Sequence, residues 1–418
     1  MYEDLREIMK KDLQYPDNHD YDPDTFTPQG KLSLRVERLR RNAPELFAGG
    51  KSLLEIGSNK GYFCMTLAKV YGEIHGYDKA KEYTDFCWVL AKMHGISNVR
   101  FYPGSFRDIP FDRTYEVVYV GNCHHYFFLD CARNYAPPLL FLKKLAGLTE
   151  KYLILDGPFE LKDPAVSRLI KEGSWSEYTQ EMYTFEKYVE VLAPQFQLIR
   201  KTDNGLGRET AVFERILPDF EYIDGTNLRR ELIRKGVLIE CNPNRGPDSM
   251  FLFNNLRYKF DMNPPPDSVF LILNALPRYF PKIRQIITYR GARVGDVADW
   301  IYGEKVEDGS LLENILRINM ILGSVGLIEL DLERDNFKIR NDHVYDIDVD
   351  MVRSIAEIVS SPPIEETMKV FLTNKIRRLG MRQETIDYLV ANISKPDIFR
   401  EILKKGDFCE TNRKGKSQ

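Results

Sequence analysis

The first half of this 418-residue chain is organised around the stretch Ser52-Leu53-Leu54-Glu55-Ile56-Gly57-Ser58-Asn59-Lys60-Gly61-Tyr62-Phe63. An apolar run ending in an acid, then two glycines four residues apart, then apolar residues at helical spacing predict a strand, a tight turn and a helix. Gly57 and Gly61 have no Cβ, so the turn can adopt positive φ and approach a ligand closely. The free N–H groups at the start of the helix can receive ligand oxygens or a carboxylate.

The spacing of the two glycines separates two classes of nucleotide-binding protein. It differs from the Gly-x-Gly-x-x-Gly of dinucleotide-binding enzymes, whose middle glycine makes room for a pyrophosphate. The stretch instead resembles motif I of class I S-adenosylmethionine (SAM)-dependent methyltransferases, whose strand-borne acid and glycine turn hold the methionine part of the cofactor. The resemblance implies that Glu55, Gly57, Ser58, Asn59 and Gly61 bind SAM. An ordinary strand-to-helix corner is the alternative.

Two further acids follow predicted strands. Asp78 ends the second strand, 21 residues beyond Gly57, the position from which a carboxylate can accept both hydroxyls of a ribose. Capping of the following helix is the alternative role. Asp108 follows the third strand, Val99–Pro103, and resembles the family residue that accepts the adenine amino group, with Phe106 or Ile109 against the ring. The coincidence of three acids at three successive strand ends favours a SAM site.

The segment after the fourth strand should face the transferred methyl group, because ligands of open α/β sheets bind beyond the carboxyl ends of the strands. His124 and His125 are the candidate catalytic bases, since imidazole titrates near neutral pH. The sequence does not choose between them, and a structural role is the alternative. Asn122 could bond the cofactor amine or satisfy its own turn. A zinc cluster of Cys123, the two histidines and Cys131 has irregular spacing, so no metal is predicted.

Aromatic residues are dense around this predicted mouth, and some of them must belong to the core. Tyr62 and Tyr126 carry hydroxyls that favour a wet edge, so they are the candidate substrate-binding residues. Such a mouth suits a sugar ring, a base or an aromatic metabolite. It therefore does not name the substrate.

The predicted fold class is α/β, with a Rossmann-like seven-stranded methyltransferase sheet and a mainly helical C-terminal domain. The strands end in an antiparallel hairpin, Gln197–Lys201 with Glu209–Arg215, joined through Gly205 and Gly207. We divide the chain into an N-terminal arm (1–30), a SAM-binding domain (31–217), an accessory domain (218–410) and a disordered tail (411–418). The arm is either a disordered leader or a cover for the site.

The accessory domain carries a pattern similar to a winged helix over about 285–341. A helix over Val294–Ile301, a long helix from Ser310 to about Gly326 and a hairpin over Glu329–Arg340 give this order. The long helix has only Arg317 as a cation along its middle, which disfavours reading of a DNA major groove. Further helices are predicted near Val349–Val359, over Ile364–Leu379 and over Gln383–Ile393. Contact with a protein partner or a second copy, or capture of substrate, is the expected use, and a plain packing domain is the alternative.

Composition bounds the remaining expectations. A formal net charge of −3 provides no general attraction for nucleic acid, and hydrophobic content of 43% is that of a globular protein. The six dispersed cysteines are typical of reduced thiols, and no apolar run approaches the length of a membrane span, so a cytoplasmic protein is expected.

The predicted function is transfer of a methyl group from SAM to a hydroxyl, or a phosphate, of a glycan or small-molecule acceptor. The alternatives are an RNA methyltransferase and a non-catalytic SAM-binding scaffold. A nicotinamide dehydrogenase lacks the middle glycine that its cofactor needs.

Overall fold

The computed structural model describes residues 21–171, 175–203, 208–235, 249–260, 264–306, 308–341, 343–349, 351–360, 362–395, 397–406 and 408. The Gly205/Gly207 turn and the tail at 411–418 lie outside them, as does the first part of the N-terminal arm. The chain forms two compact units, one comprising Met1–Ile109, Arg113–Arg133 and Pro138–Leu217, the other Pro110–Asp112, Asn134–Pro137 and Pro218–Gln418.

The described residues of the first unit form a seven-stranded sheet. Its strands are β1 (Gly50–Ile56), β2 (Tyr71–Asp78), β3 (Val99–Pro103), β4 (Tyr115–Gly121), β5 (Thr149–Gly157), β6 (Phe196–Asp203) and β7 (Glu209–Arg215). They are ordered β3-β2-β1-β4-β5-β7-β6. β1 to β5 pair in parallel, whereas β7 pairs antiparallel with β5 and β6. This confirms the predicted Rossmann-like sheet and its closing hairpin.

In sequence, the first helix of this unit precedes β1 and the others lie between strands. They are α1 (Gly30–Asn42), α2 (Tyr62–Leu67), α3 (Lys81–Met93), α4 (His124–Arg133), α5 (Leu140–Leu148), α6 (Pro164–Leu169), α7 (Glu177–Met182) and α8 (Phe185–Leu192). Leu53, Leu54 and Ile56 of β1 are all buried, as expected for a central parallel strand covered on both faces. A core of aliphatic and aromatic residues from α1, α2 and α3 packs with this strand.

The strand order reverses between β1 and β4. From β1 the chain continues to β2 on one side of the sheet, and from β4 it continues to β5 on the other side. The connections therefore leave β1 and β4 in opposite directions. A crevice forms beyond the carboxyl ends of strands at such a switch point, and ligands of α/β sheets bind there. The two segments that border it begin at Gly57 and Asn122.

The second unit contains a five-stranded sheet that sequence reasoning did not predict. It is built from β8 (Glu221–Asp224), β9 (Ser249–Phe253), β10 (Leu256–Phe260), β11 (Ile283–Tyr289) and β12 (Ala292–Asp299), ordered β8-β11-β12-β10-β9. Short strands follow at β13 (Glu304–Lys305), β14 (Leu327–Glu329), β15 (Phe337–Arg340), β16 (His343–Asp346) and β17 (Val352–Ser354).

Helices nevertheless contribute more of the described residues than strands in this unit, as predicted. They are α9 (Gly225–Arg234), α10 (Asp267–Asn274), α11 (Asp308–Gly323), α12 (Ile355–Val359), α13 (Pro362–Arg378), α14 (Gln383–Ala391) and α15 (Ile398–Lys405). Among the described residues, no helix has the length and apolar character needed to cross a membrane.

The winged-helix interpretation is not confirmed. The segment predicted as its first helix is strand β12, which pairs with both β10 and β11. A Cβ at Gly295 would lie 2.0 Å from the carbonyl oxygen of Lys259, so glycine permits this close pairing. The predicted hairpin over Glu329–Arg340 is also wrong, since β14 pairs with β17 and β15 with β16. The helix predicted near Val349 begins only at Ile355, after β17.

Candidate functional site

The glycine turn follows β1 and depends on left-handed backbone conformations. Gly57 has φ +79° and Gly61 φ +74°, and Asn59 between them has φ +47°. A Cβ at Gly57 would lie 3.0 Å from Sγ of Cys123, and one at Gly61 only 2.6 Å from Sγ of Cys87. Side chains at either position would therefore be strained and crowded. The turn needs both glycines, as the sequence predicted.

Glu55, at the end of β1, is buried and fixes the helix that follows. Its Oε2 accepts hydrogen bonds from the backbone N of Cys64 at 3.1 Å and from Sγ of Cys64 at 2.9 Å. Burial raises the pKa of Glu55 to about 7, against the opposing effects of Cys64 and the nearby Arg35. The carboxylate thus takes one of the helix N–H groups that a ligand was expected to use.

Asp78, at the end of β2, holds the other side of the turn. Its Oδ2 accepts from the backbone N of Asn59 at 2.8 Å, and its Oδ1 from that of Ala80 at 2.9 Å. Burial raises the pKa of Asp78, and these two N–H donors oppose the change. Each carboxylate oxygen can accept more than one hydrogen bond, so Asp78 can also receive ribose hydroxyls. The capping role and the ligand role are therefore compatible.

The surroundings of the three residues predicted to contact the adenine differ from the expectation. Asp108 is exposed and forms a capping box with Ser105, whose backbone N donates to its Oδ2. Phe106 is buried, and its ring stacks on Phe127 with centroids 4.5 Å apart. Ile109 is buried as well. The structure therefore places Asp108 at the surface, while neither apolar candidate presents a free face to an adenine ring.

Polar atoms without partners gather where β4 and β5 end. Oδ1 of Asn122 and Nε2 of His124 are buried and have no hydrogen-bond partner among the described residues. A Cβ at Gly157 would lie 2.9 Å from this Nε2 and 3.3 Å from this Oδ1. Gly157 therefore keeps the space beside both atoms open. Buried polar groups are normally paired, so these two atoms indicate a ligand site.

The two histidines are more deeply buried than the sequence suggested. His124 stacks on Phe159, with centroids 4.7 Å apart, and its Nδ1 lies 3.1 Å from the hydroxyl of Tyr188. Both ring nitrogens of His125 are buried without a partner in the described chain. Burial, together with the charges of Arg208 and Arg168, lowers the pKa of His125 to about 3. Burial, together with the neighbouring His125 and Arg208, lowers the pKa of His124 well below its usual range. The expected titration near neutral pH is therefore wrong, and both rings are neutral there.

The two tyrosines predicted to contact substrate lie in different surroundings. Tyr126 is half-buried, with Nζ of Lys79 5.7 Å from its ring centroid. Tyr62 is buried against Tyr21 and Phe63, with ring centroids 5.5 Å and 5.2 Å away. Tyr126 therefore keeps a wet edge, and Tyr62 does not.

A polar network beside the site was missed by the sequence analysis. Arg35 of α1 donates from Nε to Oδ2 of Asp156 at 3.2 Å and from Nη2 to the hydroxyl of Tyr119 at 2.8 Å. Thr210 donates to the other oxygen of Asp156 at 3.0 Å. Asp156 was visible as a fourth acid at a strand end. Arg35 had no such signal, because its helix lies outside every motif.

Part of the N-terminal arm packs on the glycine turn. The hydroxyl of Tyr21 donates to the carbonyl oxygen of Lys60 at 2.5 Å, and a bridge joins Tyr21 to Pro28. Nε2 of His94 lies 2.7 Å from the carbonyl oxygen of Pro23. Residues 21–28 thus form a closed loop held at two points, one of which is the turn itself.

Comparison with solved structures returns methyltransferases at low identity. A SAM-dependent methyltransferase from Aquifex aeolicus is 18% identical, with a TM-score of 0.31, over 47% of this chain and 100% of that chain. NodS, an N-methyltransferase from Bradyrhizobium japonicum WM9 in complex with S-adenosyl-L-homocysteine (SAH), is 12% identical, with a TM-score of 0.35, over 52% and 98%. The bifunctional kinase-methyltransferase WbdD is 16% identical, with a TM-score of 0.36, over 98% and 96%.

No protein-family model matches the sequence, and no curated protein matches it. At such identities and TM-scores, nothing about the reaction or the acceptor follows from the comparisons.

Proposed function

We propose that this protein is a SAM-dependent methyltransferase. One observation carries the proposal: Glu55 and Asp78 flank a positive-φ glycine turn at the carboxyl ends of adjacent strands, next to the switch point of the sheet. Such an edge provides acceptors for hydroxyl and ammonium groups and tolerates a cation. A pyrophosphate, by contrast, would be repelled by the two acids. The turn also lacks the additional glycine that makes room for a pyrophosphate in dinucleotide-binding enzymes.

The residues present suit SAM in three respects. Asp78 has acceptor capacity for ribose hydroxyls beyond its two backbone bonds. Oδ1 of Asn122 is a buried acceptor in need of a donor, and an ammonium group supplies one. Gly57 lets the backbone approach the ligand without a side chain between them. When bound, SAM supplies an electrophilic methyl group on a sulfonium, whose C–S bond breaks as the acceptor attacks.

The protein's own contribution is positioning, exclusion of water and reception of the acceptor's proton. We assign the last role to His124 or His125, whose neutral rings can accept a proton. Nε2 of His124 is a buried atom beside Gly157, and it lacks a partner among the described residues, as do both nitrogens of His125. A hydroxyl or phosphate of a glycan or small molecule is the acceptor class we propose, with Tyr126 at its edge.

The accessory unit offers no described feature that names a partner. We propose contact with another protein or a second copy of the chain, because the net charge of −3 does not favour nucleic acid. The free thiols Cys64, Cys87, Cys123 and Cys131 support a cytoplasmic location.

Calorimetric titration of the full chain with SAM, SAH and NAD tests the proposal. SAM and SAH should bind, and NAD should bind weakly or not at all. Gly57→Val should abolish binding, because the added side chain fills the turn beside Cys123. Gly95→Val is the matched control, since Gly95 also has positive φ, +65°, but a Cβ there would meet nothing within 4 Å.

The control should lose stability but keep SAM affinity. Tighter binding of NAD than of SAM would favour a dehydrogenase. SAM binding without methyl transfer from labelled SAM to any compound of a cell extract would favour a non-catalytic SAM-binding scaffold. Methyl transfer to RNA would identify an RNA methyltransferase.

A further inference from the structure

Arg35 is a nearly buried cation at the edge of the candidate site. It reaches from α1 to the carboxyl ends of β4 and β5, and its side chain is 16% exposed. A Cβ at Gly121 would lie 3.0 Å from Nη2 of Arg35, and a Cβ at Gly57 would lie 3.4 Å from the carbonyl oxygen of Gly121. Arg35 and Gly57 of the glycine turn thus both lie beside Gly121.

The guanidinium group is held in place by its neighbours but is not saturated. Nε donates a hydrogen bond to Oδ2 of Asp156, and Nη2 donates one to the hydroxyl of Tyr119 and forms an ion pair with the same Asp156 oxygen at 3.1 Å. The ring of Phe63 lies 5.5 Å below the guanidinium carbon. Nη1 has no hydrogen-bond partner in the part of the chain that the structure describes, and it is not sealed from solvent. Its two hydrogens therefore remain available in a fixed orientation.

The ligand groups that this edge must receive differ in charge. Glu55, Asp78 and the free Oδ1 of Asn122 are acceptors, which suit hydroxyls and cations. None of them can bind an anion. The amino-acid end of SAM carries a carboxylate as well as an ammonium group, and this carboxylate needs a donor or a cation.

We propose that Arg35 is a cofactor-binding residue whose Nη1 donates to the α-carboxylate of SAM, so that the site selects ligands with an amino-acid end. The inference rests on the proposed function. Asp156, Tyr119 and Thr210 then have a positioning role, because they fix the plane of the guanidinium group before the ligand arrives.

Two ligands that differ at this end test the assignment. SAH carries the carboxylate, whereas 5′-methylthioadenosine has the same adenosine and sulfur but no amino-acid group. The wild-type chain should bind SAH more tightly than 5′-methylthioadenosine. Arg35→Gln should weaken SAH binding by about 10- to 100-fold, as expected for one charge-assisted hydrogen bond. The affinity for 5′-methylthioadenosine should change by less than about threefold.

Arg41→Gln, which removes an exposed cation of the same helix, is the matched control and should leave both affinities unchanged. Arg35→Lys, which keeps the positive charge, should restore part of the SAH affinity that Arg35→Gln loses. Equal losses for both ligands in Arg35→Gln would show that Arg35 only supports the fold, and unchanged SAH affinity would also overturn the assignment. A wild type that binds neither ligand would instead refute the proposed function, and this inference with it.

Discussion

The hydroxyl of Tyr21 donates a hydrogen bond to the carbonyl oxygen of Lys60, across 39 positions of sequence. Tyr21 is 2% exposed, and its ring packs on Tyr62, the first residue of α2. The loop of residues 21–28 thus supports the glycine turn from outside the sheet. For this part of the arm, a role as cover of the turn is the interpretation that the contacts favour.

We expect Tyr21→Phe to weaken SAM binding, because the turn loses the hydrogen bond that orders Lys60. A net hydrogen bond contributes about 0.5–1.5 kcal/mol, so the dissociation constant should rise by about two- to tenfold. Calorimetry on the full chain measures this change. Tyr178→Phe, at an exposed position of α7, is the control and should have no effect. Equal affinities for wild type and Tyr21→Phe would show that the loop does not influence the site.

Asp78→Ala should weaken SAM further. The variant removes the acceptor that we propose for the ribose hydroxyls, and it also removes the acceptor for the N–H groups of Asn59 and Ala80. Each charge-assisted bond is expected to contribute about 1.5–3 kcal/mol, so binding should fall by more than tenfold. Asp85→Ala, which removes an exposed carboxylate of α3, should leave affinity unchanged. Retention of affinity in Asp78→Ala would exclude a ribose contact.

Replacement of the histidine that we propose as the base should slow methyl transfer without affecting SAH affinity. Because burial keeps the pKa of His125 at about 3 and that of His124 well below its ordinary value, either ring stays neutral through the usual assay range. We therefore expect one of His124→Ala or His125→Ala to lower kcat by about 10²-fold, the lower end of general-base contributions, with the pH profile unchanged in shape.

The rate of labelled methyl transfer between about pH 5 and pH 8 measures both effects. His343→Ala, at an exposed position of β16, is the control. If both variants of the pair remain fully active, the pair is structural and the acceptor needs no base, as for a phosphate or an amine. An acid limb near pH 7 that persists in both variants would point to Glu55, whose pKa is about 7.

A buried carboxyl in the second unit should make stability depend on pH. Burial, and then the neighbouring Glu329, raises the pKa of Asp346 well above its ordinary value. The folded chain keeps a proton here that the unfolded chain releases. This contribution to the free energy of unfolding is therefore complete below about pH 4 and is lost as pH rises toward the folded pKa.

Asp346→Asn cannot lose that proton, so it should flatten the decline in the free energy of unfolding between about pH 5 and pH 9. Urea denaturation followed by circular dichroism at several pH values measures the slope. Glu313→Gln, which neutralises an exposed carboxylate of α11, should leave the slope as in the wild type. A decline as steep in Asp346→Asn as in the wild type would mean that Asp346 is already ionised in the folded chain.

Sequence patterns were most informative where local chemistry alone fixes the conformation. Gly57 and Gly61 predicted a positive-φ turn, and alternation of apolar strands with amphipathic helices predicted the parallel sheet. They failed in the second unit, where Val294–Ile301 has apolar spacing compatible with a helix. Pairing with β10 and β11 makes it a strand, and such long-range pairing leaves no local trace.

The sequence by itself determined the order of strands and helices in the first half, the two acids beside the turn and the position of the histidine pair, because each depends on residues close together in the chain. Only the tertiary structure decided which atoms lack partners and which groups titrate. Burial lowers the pKa of His125, and Phe106 turns into the core although it lies between predicted site residues. Arg35 joins the site from 121 positions away because the parallel sheet brings α1 beside the end of β5. Burial and proximity are properties of the folded chain, so no local pattern encodes them.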